Sequence, residues 1–275
     1  MASSTSYLTP RPLTKWLLRI VVVGYLFLLV AWPSSLVVKN TFANGLDGLQ
    51  TALTDPDVIS SLKLTVIVAI VATLINLVFG VGISILLVRY NFFGKRVLSW
   101  LIDLPLAVSP IVVGLALVLV YNPRFGWVGP QLEANGVHVI FALPGIIMAT
   151  TFVALPLVVR EVVPVLQEIG DDQEWAARSL GANALQTFRR ITLPSIKWAV
   201  VYGVVLTLAR SLGEFGAVKV VSGNVIGSSM TATVLVQQKY QNFEQETAYS
   251  VAFLLAIVSV ACILVVSLLR PSQKD

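Results

Sequence analysis

The feature that most constrains this sequence is the recurrence of long apolar runs. A helix that spans a bilayer needs roughly 20 mainly apolar residues. Six runs of about this length occur, at about 16–38, 62–88, 98–121, 138–160, 198–221 and 248–269. Because backbone N–H and C=O groups in lipid must bond to one another, such runs form helices. The sequence predicts an all-α polytopic membrane protein with six transmembrane helices, forming one domain over residues 1–275.

The composition supports a membrane protein and excludes several other classes. Only 12% of the 275 residues are charged, whereas about a quarter are charged in soluble domains. A single cysteine, Cys262, and a single histidine, His138, exclude a disulfide framework and a His/Cys metal cluster. The net charge of +5 is not gathered into a basic stripe, so no nucleic-acid partner is indicated. The first run ends in Trp32-Pro33 without a small-residue cleavage site, which favours a retained signal anchor.

Basic residues in the loops predict the orientation of the chain. With six spans, thirteen Lys and Arg residues fall on one side and four on the other. Because loops rich in Lys and Arg stay in the cytoplasm, both termini and the loop at 161–197 are expected inside the plasma membrane. Asp55-Pro56 is typical of an N-cap with proline at the first helical position, and predicts a short outer helix leading into the second span.

The loop at 161–197 is predicted to be a helix–glycine–helix element. Asp171 is expected at an N-cap with Glu174 at the third helical position, and Gly181 in a left-handed turn that ends this first helix. Asn183 is expected to cap a second helix, closed by Leu193-Pro194, with Leu185 and Phe188 on one face. The residues alone are consistent with a membrane-surface helix or with a docking element for a soluble partner.

The same loop carries a family resemblance. Ala176-Ala177, then Gly181 after three intervening residues, then Ile191-Thr192-Leu193-Pro194 after nine intervening residues match the spacing of the "EAA" loop of bacterial ABC importer permeases. The motif's glutamate falls on Trp175, with Glu174 one position early.

Three further segments carry a resemblance: Asp103-Leu104-Pro105 through Ser109-Pro110, Leu143-Pro144-Gly145, and Ala209 through Ala217. They resemble the sulfate and molybdate branch of these permeases. The stretch Val220-Val221-Ser222-Gly223 most closely resembles the W-type subunit of the sulfate/thiosulfate importer.

The resemblance implies a type I importer permease that moves sulfate or thiosulfate into a bacterial cytoplasm by alternating access. The partners it implies are ABC ATPase subunits, a second homologous permease in a heterodimer, an extracytoplasmic sulfate-binding protein and membrane lipid. This chain would hold no cofactor, since ATP and Mg would bind the ATPase. The residues it assigns to ATPase coupling are Glu174, Trp175, Ala176, Ala177, Gly181, Leu185, Phe188, Ile191, Leu193 and Pro194. Molybdate, tungstate or another oxyanion remains an alternative substrate.

Charges and prolines inside the predicted spans suggest a pathway, although each has a structural alternative. Arg210 and Glu214, near the middle of the fifth span, form either an i,i+4 ion pair that fixes the helix or a fixed positive charge along an anion path. Ser109-Pro110 interrupts the third span, as a packing kink or as path lining. Lys219 either attracts anions at the outer mouth or extends its ammonium to the interface.

The sequence lacks the motifs of an enzyme. No G-x-x-x-x-G-K-[ST] phosphate loop, H-E-x-x-H helix or G-x-S-x-G elbow occurs. A membrane-embedded enzyme therefore has no catalytic constellation to support it. An ATP-independent channel or secondary transporter remains as a different class, and it would leave the structured inner loop without a purpose.

Overall fold

The computed structural model describes residues 12–269, with side chains described over 15–264. Of the basic residues used for orientation, Arg11, Arg270 and Lys274 lie outside the described residues. In chain order the helices of the first half are α1 (Pro12–Leu26), α2 (Trp32–Thr41), α3 (Asp47–Thr54), α4 (Pro56–Arg89), α5 (Lys95–Ala107), α6 (Pro110–Tyr121) and α7 (Gly129–Ala134). A π-helical turn, Phe27–Ala31, joins α1 to α2.

The helices of the second half are α8 (Leu143–Ile169), α9 (Asp172–Ser179), α10 (Ala184–Thr187), α11 (Leu193–Leu212), α12 (Gly216–Val221), α13 (Ala232–Gln241) and α14 (Gln245–Leu269). A second π-helical turn, Phe188–Thr192, joins α10 to α11. Over residues 12–269 the regular structure is therefore helical throughout, as predicted.

Four of the predicted spans correspond to continuous helices. The helices long and apolar enough to cross a membrane number five in the described chain, or up to six if a bent pair counts as one span. The first span runs through the π-turn to Thr41, and the last is α14. The second span is longer than predicted, because α4 starts at Pro56 in one piece instead of after a separate short helix. Asp55 caps it as expected by accepting a hydrogen bond from the Asp57 N–H at 2.8 Å. The fourth span, α8, begins and ends later than predicted.

The third and fifth predicted spans are not straight helices. α5 and α6 meet at an angle of 114° across the break at Val108-Ser109. The run at 198–221 is divided between α11 and α12, because the chain leaves the helix over residues 213–215. Both breaks lie where a proline or a glycine interrupts the sequence. Hydropathy alone did not reveal these breaks, because each lies inside a stretch that has the length of one span.

Small residues hold the three central helices together. α4, α8 and α11 pack against one another, and Gly80 of α4 and Gly203 of α11 both face Val158 of α8. Side chains added at Gly80 and Gly203 would lie 2.8 Å from Val158 Cβ and 3.1 Å from its Cα. Close approach at small residues is how helices gain packing energy in a membrane, where lipid is as apolar as leucine.

Polar contacts join the helix ends that lie at one side of the molecule. The Thr41 hydroxyl at the end of α2 donates to the Tyr249 carbonyl near the start of α14, at 3.1 Å. Nearby in the fold, Lys239 Nζ lies 2.7 Å from Glu244 Oε2 and 3.4 Å from Asp55 Oδ2, beside the start of α4. The hydrogen bond to Glu244 and the Asp55 charge raise the pKa of Lys239, so its ammonium stays charged. These contacts place the end of α2 and the starts of α4 and α14 on one side of the molecule. The other ends of these spans, which are the start of α1 and the ends of α4 and α14, lie on the opposite side, together with the loop at 170–192.

The first span is attached to the rest of the chain near its C-terminal end. Its 18-residue apolar window has no buried residue, whereas half of the corresponding window in α8 is buried. Its contacts with α14 come mainly from α2. Directly after α2, Phe42 stacks edge to face with Phe253 of α14, with ring centroids 5.2 Å apart. A helix that is apolar all round and unburied needs lipid or another protein to cover it.

The packing at Gly80 generates a prediction with an internal control. Gly80→Ala should destabilise the protein by about 1–3 kcal/mol, the usual cost of overpacking a tight contact. Gly82→Ala, in the same helix, meets no atom within 4 Å and should leave stability unchanged or raise it through helix propensity. Thermal unfolding of the purified variants in detergent measures both. Equal melting temperatures for the two would contradict the described α4–α8 packing.

Candidate functional site

The most structured loop of the protein is shorter than the predicted 161–197. Residues 161–169 belong to α8 and residues 193–197 to α11, so the free element is 170–192. Gly170 and Gly181 adopt φ of +71° and +88°, in the left-handed region that favours glycine. Gly181 follows the end of α9 at Ser179 and Leu180, and its N–H bonds to the Arg178 carbonyl at 2.9 Å. The helix–glycine–helix prediction is thus confirmed in outline.

The caps of the two loop helices differ from each other. Asn183 caps α10 as predicted, in a reciprocal box with Gln186 whose hydrogen bonds are 2.8 and 2.9 Å long. Asp171 does stand at the N-cap of α9, but its side chain makes no cap bond. It accepts instead from the Trp175 indole N–H at 3.0 Å. The predicted pairing of Asp171 with Glu174 as a capping arrangement was therefore wrong.

Three large apolar side chains of this loop are exposed. Trp175, Leu180 and Leu185 retain 59%, 90% and 64% of their accessible surface. The Arg178 guanidinium lies over the Trp175 ring, 5.9 Å from its centroid. We refer to the side chains of Trp175, Leu180 and Leu185 as the apolar face of the loop. Their exposure is what we expect of an element that docks on a partner.

The other predicted coupling residues are divided between surface and core. Ala176 is exposed and Ala177 half-buried. Phe188 packs against the core cluster of α4, α8 and α11 instead of sharing an exposed face with Leu185, so that part of the prediction was wrong. A shallow cavity of about 390 Å³ lies beside the loop. Its lining residues include Ala177, Leu180, Gly181, Gln186, Arg190 and Ile191.

The second loop helix does not end at Leu193-Pro194. The chain stays helical from Ala184 to Leu212, and the π-turn before Pro194 explains why. Pro194 has no N–H to donate, and its ring would clash with the preceding turn of an α-helix. The Leu193 N–H bonds to the Phe188 carbonyl five residues back, which widens the turn. The same arrangement occurs before Pro33, where the Trp32 N–H bonds to the Phe27 carbonyl.

Glu174 is buried, in contrast to the other residues of α9. Its carboxylate accepts hydrogen bonds from Arg89, at the end of α4, and from the Thr192 hydroxyl in the π-turn. Sequence reasoning missed Arg89, which it used only as a topology marker. An arginine directly at the end of a long apolar run was the available signal, but its partner is 85 residues away in the sequence.

Arg210 and Glu214 form the predicted ion pair in an unexpected setting. Arg210 Nη1 lies 2.7 Å from Glu214 Oε2, and the two side chains are 39% and 2% exposed. The prediction of an uninterrupted helix was wrong: Arg210 is in the last turn of α11 and Glu214 lies in the break before α12. Glu214 Oε1 also accepts the Ala217 N–H at 3.0 Å, satisfying a free donor in the first turn of α12.

The break in the third span lies against α12. Pro110 approaches Gly216, where an added side chain would lie 3.0 Å from Pro110 Cβ. Gly114 lies so close to α12 that an added side chain would meet the Ala217 carbonyl oxygen at 2.8 Å. Ser109 is the residue before α6, and Lys219 of α12 is half-buried. The structure thus brings Ser109-Pro110 and the Arg210–Glu214 region together around the short helix α12.

Two other polar residues discussed from the sequence lie in exposed pairs. Asp103 Oδ1 is 3.0 Å from Arg160 Nη2, with more than half of each side chain exposed. His138 precedes α8 instead of beginning a span, and its Nδ1 lies 2.9 Å from Glu133 Oε2.

The fold and loop together define a multi-span membrane protein whose helices carry a structured loop at one end. Residues 78–272 match the family of binding-protein-dependent transport system inner membrane components, and the chain belongs to this family. It is 43% identical over 261 residues to the sulfate transport system permease protein CysW of Synechococcus elongatus, covering 94% of this chain and 91% of that protein.

Solved structures show the same fold at lower sequence identity. A bacterial ABC transporter involved in the import of the acidic polysaccharide alginate superposes with a TM-score of 0.78 at 17% identity, over 95% of this chain and 97% of that one. The alginate transporter in complex with an alginate-bound periplasmic protein gives 0.75 at 17% identity, over 92% and 93% of the two chains.

The setting of Glu214 predicts that its carboxylate stabilises the break before α12. Glu214→Ala should lower stability by about 1–3 kcal/mol, because it removes a buried acceptor and leaves the Ala217 N–H unpaired. Glu214→Gln retains an oxygen acceptor at the same position and should recover part of the loss. Arg210→Ala and the double variant complete the cycle, with unfolding in detergent as the measurement. If Glu214→Gln proves as destabilising as Glu214→Ala, the capping role is incorrect.

Proposed function

We propose that this chain is the permease subunit of an ATP-driven importer that moves sulfate or thiosulfate into the cytoplasm. The observation that carries the proposal is the similarity to a sulfate transport permease over nearly the whole chain. The exposed apolar face of the 170–192 loop supports the ATP-driven part, since neither a channel nor a secondary transporter needs a structured docking loop.

The energy source would be a separate ATPase, with ATP and Mg bound there and no cofactor in this chain. The occupant of the apolar face, formed by Trp175, Leu180 and Leu185, would be a groove of that ATPase, in the helix-in-groove mode. The indole of Trp175 stands where the family motif has a glutamate. It presents a flat apolar surface held by Asp171 and Arg178, so this ATPase should offer an apolar contact at that point.

A second permease and an extracytoplasmic binding protein would complete the importer. The unburied first span supports a further membrane-embedded partner, and a homologous but different permease would give a heterodimer. The solved complex of an alginate transporter with its periplasmic protein supports delivery from a binding protein. The loop at 170–192 would face the cytoplasm of a bacterium, together with both termini.

The transport step would be alternating access. Closure of the ATPases would move the 170–192 loop, and the attached helices α8 and α11 would tilt to open the path outward. The region around α12 is the proposed path lining, with Ser109, Pro110 and Lys219 near it and the Arg210–Glu214 pair fixing the break that shapes it. A paired arginine suits this role, because an unpaired buried cation would hold a dianion too tightly to release it.

The test is uptake of labelled sulfate by vesicles in the presence of ATP, with this chain present or deleted and with molybdate and thiosulfate as competitors. Sulfate uptake that is lost on deletion and insensitive to molybdate supports the proposal. Competition by molybdate would instead support the alternative substrate, molybdate or tungstate. Uptake without ATP, or without a copurifying ATPase, would support a channel or secondary transporter.

The conformation of Gly181 predicts a coupling defect. Nothing lies within 4 Å of a side chain added there, so the effect of a substitution comes from the backbone. A β-branched residue at φ of +88° is strained, so Gly181→Val should displace α10 and reduce uptake while ATP hydrolysis continues. Gly181→Asn is the control, because asparagine tolerates this region. Uptake by Gly181→Val equal to that of wild type would contradict this role.

A further inference from the structure

The side chain of Arg89 joins three segments of the permease: α4, the end of α8, and α9. It is the last residue of α4, and its Nη1 and Nη2 donate to the Leu166 and Gly170 carbonyls at 3.0 and 2.6 Å. Those carbonyls belong to the last turn of α8 and the residue after it, where a helix leaves its acceptors unpaired. Its Nε and Nη2 donate to the Glu174 carboxylate of α9 at 3.1–3.2 Å.

Thr192 adds α11 to this group. Its hydroxyl donates to Glu174 Oε1 at 2.9 Å, and it is the last residue of the π-turn that leads into α11. A π-turn holds one more residue than an α-helical turn, and so changes the direction in which the next side chains point. The widened turn therefore both accommodates Pro194 and directs Thr192 at Glu174.

The ion pair is the principal attachment of α9 to the membrane helices. All residues of α9 are described, and Glu174 is the one buried residue among them. The large apolar side chain of this helix, Trp175, is exposed. A helix on a core is normally held by its apolar face. Here a charged pair takes that role, with only 12% of the Arg89 side chain and 11% of the Glu174 side chain exposed. A pair so shielded from water is screened little by salt.

We propose that Arg89 and Glu174 are positioning residues that transmit the movement of the docking loop to α4, α8 and α11. The inference rests on the proposed function, because it assigns a role within ATP-driven import. The apolar face, on the outer surface of α9 and α10, would follow the ATPase. The Arg89–Glu174 pair, on the buried side of α9, would pull the ends of the membrane helices with it. Without the pair the loop would still bind the ATPase, but its movement would no longer reach the helices.

The test compares transport and hydrolysis in the assembled importer. Arg89→Gln, Glu174→Gln and the double variant would be assayed for copurified ATPase, for ATP hydrolysis and for sulfate imported per ATP hydrolysed. Each single variant should retain the ATPase but lower the import ratio by roughly five-fold or more, the lower range of coupling between distant sites. The double variant should be no worse than Arg89→Gln, because the two residues act as one unit. Arg89→Lys keeps the charge but not the fork of donors, and should recover part of the ratio.

Arg160→Gln is the matched control, since it breaks an Arg–Asp pair that is more than half exposed. It should leave the import ratio unchanged, because exposed pairs contribute little. An unchanged ratio in an assembled Arg89→Gln complex would overturn the proposal, and so would an equal fall in Arg160→Gln. If the wild-type complex imports a different oxyanion, the proposed substrate fails, and the same variants are compared with the imported ion.

A distance measurement keeps the test independent of transport. With Cys262 replaced by serine, spin labels at Ser179 of the loop and at the exposed Phe93 after α4 report how firmly α9 is held. The distance distribution in the assembled complex should be narrow in wild type and broad in Glu174→Gln. Should Arg89→Gln fail to assemble, Glu174→Gln, which keeps the shape of the side chain, decides. A narrow distribution and a normal ratio in that variant overturn the proposal.

Discussion

The constraint on which the rest of the structure depends is that a chain in lipid has no water to complete its hydrogen bonds. Every interruption of a helix must therefore be compensated from within the protein. At the break before α12, Glu214 accepts the Ala217 N–H while paired with Arg210. At the end of α8, the Arg89 guanidinium donates hydrogen bonds to the Leu166 and Gly170 carbonyls. It thereby replaces the water that bonds to the last carbonyls of helices in soluble proteins. At these points charged side chains complete the hydrogen bonds of the backbone.

Several levels of the structure were predictable from the sequence. The helical class followed from the apolar runs, and the caps at Asp55 and Asn183 and the turn at Gly181 followed from local chemistry. These features depend on residues close to one another in the chain. Glu174 could not be interpreted in this way, because its position suggested a cap while its partner Arg89 belongs to another helix. Burial of a charge is decided by tertiary contacts, which a single sequence does not contain.

The prolines explain the remaining differences. Proline at 194 predicted the end of a helix, yet the chain continues through a π-turn. Proline at 110 follows a bend of 114° between α5 and α6, where the sequence suggested either a packing kink or path lining. The two outcomes differ in what surrounds them. Pro110 lies against Gly216 of α12, so a neighbouring segment takes up the space that the bend creates. The turn before Pro194 is tied to the core by Phe188 and to Glu174 by Thr192, so the helix is held in line.

The π-turn at Phe188–Thr192 makes the length of this segment as important as its composition. Each residue of an α-helix turns the chain by about 100°. If one residue were deleted from the turn, the extra residue that accommodates Pro194 would be lost, and everything before the deletion would rotate by about that angle relative to α11. Substitutions in the segment change one contact, whereas a one-residue deletion would turn the whole docking loop away from the core. Relatives of this chain should therefore differ in this segment by substitutions and not by insertions or deletions. The number of residues between Gly181 and Pro194 should be the same in all of them.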